Sequence, residues 1–265
     1  MNSKIQIIAT IGPATKEKGM LKKLAEHHMD VVRLNFSWGT HKEHKAYIKN
    51  VREVAEELNI EIPIIQDLSG ARIQDDLGHK FNEETIKIIT EKDLEDLAFG
   101  IENGVDYVAM SYVSAGRDVQ LLREEMEKLG KIIPIIAKIE RQVALVNIDS
   151  IIENAEAIMI ARGDLGKDVL VEKIPFIEKD IIAKCKQAGK PVIVATEVLL
   201  SMTKKDTPTR AEMTDIAYAV VNGADALMLS EETASGEYPL EAVMMMERGI
   251  KEAEEYIVGT KINNL

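Results

Sequence analysis

Short apolar runs that stop abruptly on polar residues recur along the whole chain, separated by stretches with helical spacing. The first run, Ile5–Ala9, is interrupted only by Gln6, and the chain breaks at Gly12-Pro13. Lys16–His28 then carries apolar residues at helical spacing. Val31–Asn35 is the second run, followed by Ser37-Trp38-Gly39 and a helix to about Leu58. Pro63–Gln66 is the third, and Asp67 closes it. Further runs at Tyr107–Met110, Ile132–Ile136, Ala157–Ala161, Val192–Ala195 and Ala226–Leu229 alternate with helical segments. Runs this short, apolar throughout, fit strands covered on both faces. The rhythm breaks once, over Leu68–Thr90. Ser69-Gly70, Asp75-Asp76 and Gly78-His79 predict a loop or small hairpin there, and Thr90 predicts the cap of a helix over Asp93–Asn103.

Eight strand-helix units in 265 residues predict an α/β fold, a single (β/α)8 TIM barrel spanning 1–265. In such a barrel function gathers at the C-terminal strand ends. Polar residues stand there throughout: Thr10, Arg33, Asn35, Asp67, Ser111, Lys138, Glu140, Asp164, Thr196 and Ser230. An open doubly wound sheet is the alternative, but it calls for a Gly-rich phosphate loop after the first strand, and Thr10-Ile-Gly-Pro13 matches one poorly.

The stretch from Ile135 to Asp164 concentrates the chemistry. Alternation along a strand puts Lys138 and Glu140 on one side, and Asp164 closes the next run. Two carboxylates and an ammonium at adjacent strand ends can hold a divalent cation and an anionic oxygen together. A plain salt bridge at a strand mouth is the bland reading.

Composition narrows the choice. The net charge of −12 argues against nucleic acid or an anionic membrane as a partner, so an anionic substrate needs local positive charge. Cys185 is the only cysteine, which excludes an intrachain disulfide and a cysteine-rich metal site. With no signal peptide and no apolar run near about 18 residues, the chain reads as soluble and cytoplasmic.

Thr10-Ile-Gly-Pro13, Arg33-Leu-Asn-Phe-Ser37, Lys138-Ile-Glu140, Ala161-Arg-Gly-Asp-Leu-Gly166, Pro208-Thr-Arg-Ala-Glu212 and Met228-Leu-Ser230 resemble, in order, the barrel domain of pyruvate kinase. The resemblance covers roughly residues 4–257. It implies metal-dependent chemistry on phosphoenolpyruvate or pyruvate through an enolate. Glu140 and Asp164 correspond to the ligands of Mg²⁺ or Mn²⁺, Lys138 to the lysine that stabilises phosphoryl and enolate charge, and Arg33 to an arginine facing the phosphate. Ala161, Gly163 and Asp164 correspond to the turn that holds the substrate carboxylate, and Ser111 joins this substrate-binding set. Thr196 corresponds to the threonine beside the enolate carbon. Asn35, Ser37 and Asp67 correspond to parts of a monovalent-cation site. Thr209 and Arg210 fall at a subunit boundary in the family, which leaves room for a homo-oligomer.

The departures are as informative. The family inserts a lid domain after the third strand, and here only a short segment near 68–90 stands in that place. The family also carries a C-terminal regulatory domain, and this sequence stops within a few residues of the expected last barrel helix. The family's lysine, glutamate and arginine after Asp67 are Ser69, Arg72 and Gln74, and its histidine after Ser37 is Trp38. Glu197 and Glu231 replace a glutamine and a glycine. Arg72 stands where potassium-dependent members carry glutamate, so the resemblance implies that potassium is not required. The metal and enolate side is complete, whereas the changes fall on the nucleotide side. Phosphoryl transfer with ADP or ATP and lyase chemistry on a 2-oxo acid, decarboxylation or aldol cleavage, share the enolate and both stay open. A non-catalytic or engineered barrel scaffold is the third reading.

Other candidates read as structure. His27, His28, His41, His44 and His79 suggest solvated surface, Met244–Met246 packing, and Cys185 core. Trp38 either caps the barrel mouth in place of the lid or covers a loop.

Overall fold

The computed structural model describes residues 3–75, 78–82 and 87–263. In chain order the strands are β1 Gln6–Thr10, β2 Met29–Asn35, β3 Ile64–Asp67, β4 Arg72–Asp75, β5 Gly78–Phe81, β6 Tyr107–Met110, β7 Ile135–Ile139, β8 Ala157–Ala161, β9 Val192–Ala195 and β10 Ala226–Leu229. The helices are α1 Lys18–Glu26, α2 His41–Leu58, α3 Glu91–Glu102, α4 Gly116–Lys128, α5 Gln142–Val146, α6 Ile148–Asn154, α7 Arg162–Asp168, α8 Ile174–Ala188, α9 Arg210–Asn222, α10 Glu231–Ala234 and α11 Pro239–Asn263. Among the described residues, β1, β2, β3, β6, β7, β8, β9 and β10 pair in parallel and close into a barrel, with β10 returning to β1. The expected (β/α)8 barrel is what the chain forms.

Alternation along each strand divides the apolar residues into two cores. Ile8, Val31, Ile65, Ala109, Ile136, Met159, Ile193 and Met228 fill the barrel interior. Their chain neighbours, such as Ile158 and Ile160, face the helices and join the larger core outside. Both faces are therefore covered, and β7 to β10 are buried at every position.

Helix boundaries follow the capping chemistry of the sequence. Thr40, Thr90 and Thr209 each form a capping box with Glu43, Asp93 and Glu212, and start α2, α3 and α9. One strand lies later than its apolar run predicts: β7 starts at Ile135 rather than Ile132. Pro134 has no N–H to give to a ladder, and Ile132 is half exposed. The interruption after β3 is a hairpin, with Arg72 opposite Phe81 and Asp75 opposite Gly78.

At the N-terminal end, carboxylates clasp alternate strands. The Ile7 N–H donates to Asp30 at 2.8 Å, Ile64 to Asp106 at 2.7 Å, Ile135 to Glu156 at 2.7 Å and Val192 to Asp225 at 2.9 Å. Each carboxylate sits at or just before the start of the next barrel strand, so four strand pairs repeat one device. Arg52, Arg123 and Lys186 pair with the last three of these carboxylates.

Candidate active site

The C-terminal ends of β2, β3, β6 and β7 converge on a buried chain of alternating charge. Arg33 Nε donates to Asp67 Oδ2 at 2.8 Å, Nη2 lies 2.8 Å from the same oxygen in an ion pair, and Nη1 donates to Thr10 Oγ1 at 3.2 Å. Lys138 Nζ lies 3.0 Å from Asp67 Oδ1 and 2.8 Å from Glu140 Oε1, and donates to Ser111 Oγ at 2.7 Å. Ser111 Oγ donates onward to Leu68 O at 2.8 Å. The Tyr112 N–H fixes Glu140 Oε2 at 2.6 Å. Strand alternation does put Lys138 and Glu140 on one side, as expected; parallel register pairs Asp67 with Asn35, and the long side chain of Arg33, two residues earlier on β2, reaches across to it.

Burial makes these pairings strong. Burial alone would raise the Asp67 pKa, but Lys138 and Arg33 override it and hold the carboxyl below its usual range. Burial likewise favours neutral Lys138, and Asp67 and Glu140 override it upward. The ammonium therefore stays charged in a site that excludes water.

A second unit stands across the mouth at the ends of β8 and β9. Gly163 N–H donates to Thr196 Oγ1 at 2.7 Å, and that hydroxyl donates to Ala195 O at 2.6 Å. Ala161 leads into α7, whose first turn carries Asp164, ion-paired with Lys167 at 2.8 Å. Thr196 and Glu197 both hold positive φ, 69° and 54°, a strained pair of non-glycine residues at a strand end.

Arg162, which the sequence did not single out, braces that strained turn. Its Nε and Nη2 donate to Thr196 O at 3.3 and 2.9 Å, while Nη1 reaches Glu178 at 3.2 Å and Asp215 at 2.7 Å. Its charge is visible beside Asp164 in the sequence, but its direction, inward to α8 and α9, is not. Tyr112 is the other residue missed; it is buried, at φ 58°, on the rim between Ser111 and Val113.

Asn35 and Ser37 form a local turn, Ser37 N–H donating to Asn35 Oδ1 at 3.1 Å. Both Asp67 oxygens are engaged by Arg33 and Lys138. The hairpin roofs this side of the mouth. Arg72 Nε donates to Ser69 O at 2.8 Å, the Phe81 and Tyr112 rings lie 5.3 Å apart, and Arg141 stacks on Phe81 at 3.8 Å. The side chains of Gln74 and His79 lie outside the described residues.

One expectation is corrected here. His44 is not solvated surface: it is buried, stacked on Phe36 at 4.0 Å and bonded to Trp38 O, whereas its neighbour His41 stays exposed while pairing with Asp96 at 2.7 Å. The apolar loop between β2 and α2 folds back onto their helix face, a packing that helical spacing does not reveal. Trp38 is 62% exposed, so it does not seal the mouth.

For a divalent cation the donor set is suitable. Glu140 Oε1 is buried with the Lys138 ammonium 2.8 Å away, and Asp164 adds a second hard oxygen donor. Among the described residues no group of three or more His, Cys, Asp or Glu side chains forms a ready metal cage. Glu140 and Asp164 are hard oxygen donors of the kind Mg²⁺ or Mn²⁺ takes, and they are the residues that would hold such an ion.

A closed parallel barrel with a charged rim at its C-terminal strand ends defines a (β/α)8 enzyme scaffold. A family model described as pyruvate kinase, barrel domain, matches residues 2–88 and 78–243, its two segments overlapping in the hairpin region. The chain is 37% identical to the pyruvate kinase of Thermococcus litoralis, over 96% of this chain and 70% of that one. It is 36% identical to that of Bacillus licheniformis, over 98% and 58%, and 33% to that of Mycobacterium tuberculosis, over 96% and 71%. The chain belongs to the pyruvate kinase family, and it spans roughly 58–71% of the length of these relatives. The Thermococcus alignment runs over 333 positions, more than the 265 residues here, so part of that relative has no counterpart in this chain.

Proposed function

We propose that this chain binds pyruvate, phosphoenolpyruvate or a related 2-oxo acid at the barrel mouth and stabilises the enolate, with phosphoryl transfer to a nucleotide weakened. The observation that carries this reading is the buried array Arg33–Asp67–Lys138–Glu140. Lys138, kept charged by two carboxylates, stabilises the developing enolate oxygen in a water-poor site, where a fixed charge is worth most. Arg33 spends three N–H contacts on Asp67 and Thr10 and retains N–H capacity for a phosphate oxygen. Glu140 and Asp164 hold the Mg²⁺ or Mn²⁺, which when bound polarises the substrate oxygens. The turn at Ala161, Gly163 and Asp164 receives the substrate carboxylate, with Ser111 beside Lys138. Gly163 N–H is already engaged by Thr196 Oγ1, so drawing it to a substrate frees an acceptor lone pair on Thr196 Oγ1, which can then hold a water that exchanges a proton with the methyl carbon.

The nucleotide side supports less. Ser69 is uncharged and donates to Phe36 O, Trp38 faces solvent, and in this reading the β4–β5 hairpin is the lid in reduced form. Lyase chemistry on a 2-oxo acid is the second reading, favoured by this same lack of charge. Asn35, Ser37 and Asp67 form a monovalent site that is not needed, because Arg33 and Lys138 already neutralise Asp67 and Arg72 adds charge nearby. The chain in this reading is a cytoplasmic enzyme acting on small molecules; no helix among the described residues is long and apolar enough to cross a membrane.

Deuterium exchange into the pyruvate methyl group, followed by NMR with Mg²⁺ and run beside a coupled assay for ATP formation, tests this. Metal-dependent exchange, equal in potassium and in a larger organic cation, is expected. Rapid ATP formation from phosphoenolpyruvate and ADP would show a complete kinase instead, and strong potassium stimulation would restore the monovalent site.

A further inference from the structure

Tyr112 combines properties that packing does not require. Its residue is 2% exposed, yet its hydroxyl has no hydrogen-bond partner among the described residues. Phenylalanine would fill the same volume without the penalty of an unmet buried hydroxyl. The backbone holds φ 58°, which keeps the N–H on Glu140 and turns the ring under the hairpin. The ring is then confined. Phe81 lies 5.3 Å away, the Arg72 guanidinium 5.9 Å, and Gly70 comes so close that a Cβ there would sit 2.8 Å from the ring. The phenol lies within electrostatic reach of Glu140, Asp164 and Asp67, the carboxylates of the mouth, and of Arg72. A rigidly held donor with nothing to donate to, at the rim of a charged site, is arranged for an acceptor that arrives from outside.

We propose that the Tyr112 hydroxyl is a preorganised hydrogen-bond donor to an oxygen of the small anionic ligand bound at the barrel mouth, a 2-oxo acid or its enol phosphate. Tyr112 is thereby a substrate-binding residue that adds to Lys138 and Arg33. Its hydroxyl favours ligands that place an oxygen at the β6–hairpin side of the mouth. The inference rests on the function proposed above.

Tyr112→Phe removes only the oxygen and keeps the ring and the amide on Glu140. Isothermal calorimetry with pyruvate and with oxalate, each in Mg²⁺, is expected to show roughly tenfold weaker binding for the variant. Affinity for Mg²⁺ alone stays as in the wild type, and the thermal unfolding midpoint stays level or rises, because an unmet hydroxyl is gone. Equal ligand affinity in wild type and variant would overturn the inference while leaving the function standing. A lowered midpoint with lowered binding would also overturn it, by making the hydroxyl structural. A wild-type chain that binds Mg²⁺ but neither anion would overturn the proposed function itself, and this inference with it.

Discussion

The two ends of the barrel hold similar residues for different ends. At the N-terminal end each carboxylate meets a backbone N–H and, in three of four cases, a cation at the surface. Each of these four carboxylates has its backbone partner, and the geometry repeats around the barrel. At the C-terminal end Asp67, Lys138 and Glu140 are more deeply buried and unlike one another in role, and Ser37 Oγ, Ser230 Oγ and the Tyr112 hydroxyl lack hydrogen-bond partners among the described residues. Three positive-φ residues other than glycine, Tyr112, Thr196 and Glu197, follow strands at this end, against His28 before β2 at the other. The same fold therefore satisfies the carboxylates of its clasps at one end and, among the described residues, leaves several buried polar atoms without hydrogen bonds at the other. That contrast can be broken experimentally.

The largest effect is expected at the top. Lys138→Met should lower metal-dependent methyl exchange by roughly 10²–10³-fold, the loss typical of one transition-state donor. It should also lower the unfolding midpoint, since Asp67 and Glu140 lose their shared cation. Glu140→Gln is next. Exchanging a charged hard ligand for a neutral one should weaken Mg²⁺ binding by well over tenfold in calorimetry. Unchanged affinity would remove the metal from this pair.

Much of this contrast was legible in the residues, and what was not has a physical reason. Apolar runs ending on charge located the barrel, and strand alternation paired Lys138 with Glu140. Register between strands is not a local property, so the clasp of Asp67 by Arg33 and Lys138 appears only once β2, β3 and β7 are aligned. Pro134 moved β7 because a strand needs its N–H groups as well as apolar side chains. His44 was misread because the loop carrying Phe36 and Trp38 returns onto its helix. Arg162 and Tyr112 were missed because a side chain's direction depends on backbone angles that spacing does not encode.

The bottom of the barrel should answer mutation with stability and not with rate. Asp106→Ala leaves the Ile64 N–H and Arg52 without the carboxylate they share. A loss of about 1–2 kcal/mol is expected in urea unfolding, as for a removed hydrogen-bond partner at a half-exposed site. The methyl-exchange rate per folded molecule should stay unchanged. A rate that fell in step with the top-end variants would mean that the N-terminal clasps set the geometry of the mouth.

The smallest effect separates the two ends by the sign of their pH dependence. Asp67 has a lowered pKa, so the folded state favours its charged form. Its contribution is complete above the ordinary carboxyl value of about 3.8 and is lost as pH falls through the folded-state value. Asp30 runs the other way. Burial raises its pKa, only partly offset by the Ile7 N–H and by His28, so the folded state binds the proton more readily than the unfolded chain. Its contribution is greatest below 3.8 and declines as pH rises through the raised value. Asp30→Asn retains an oxygen for the Ile7 N–H while removing the charge. Urea midpoints measured from pH 3 to 7 should show the variant level with or slightly above the wild type near neutrality. That difference should shrink, or reverse, as the wild type protonates. A variant that loses most stability at pH 7 would show that the Asp30 charge supports the clasp, and the four N-terminal carboxylates would then act as ion sites rather than as acceptors alone.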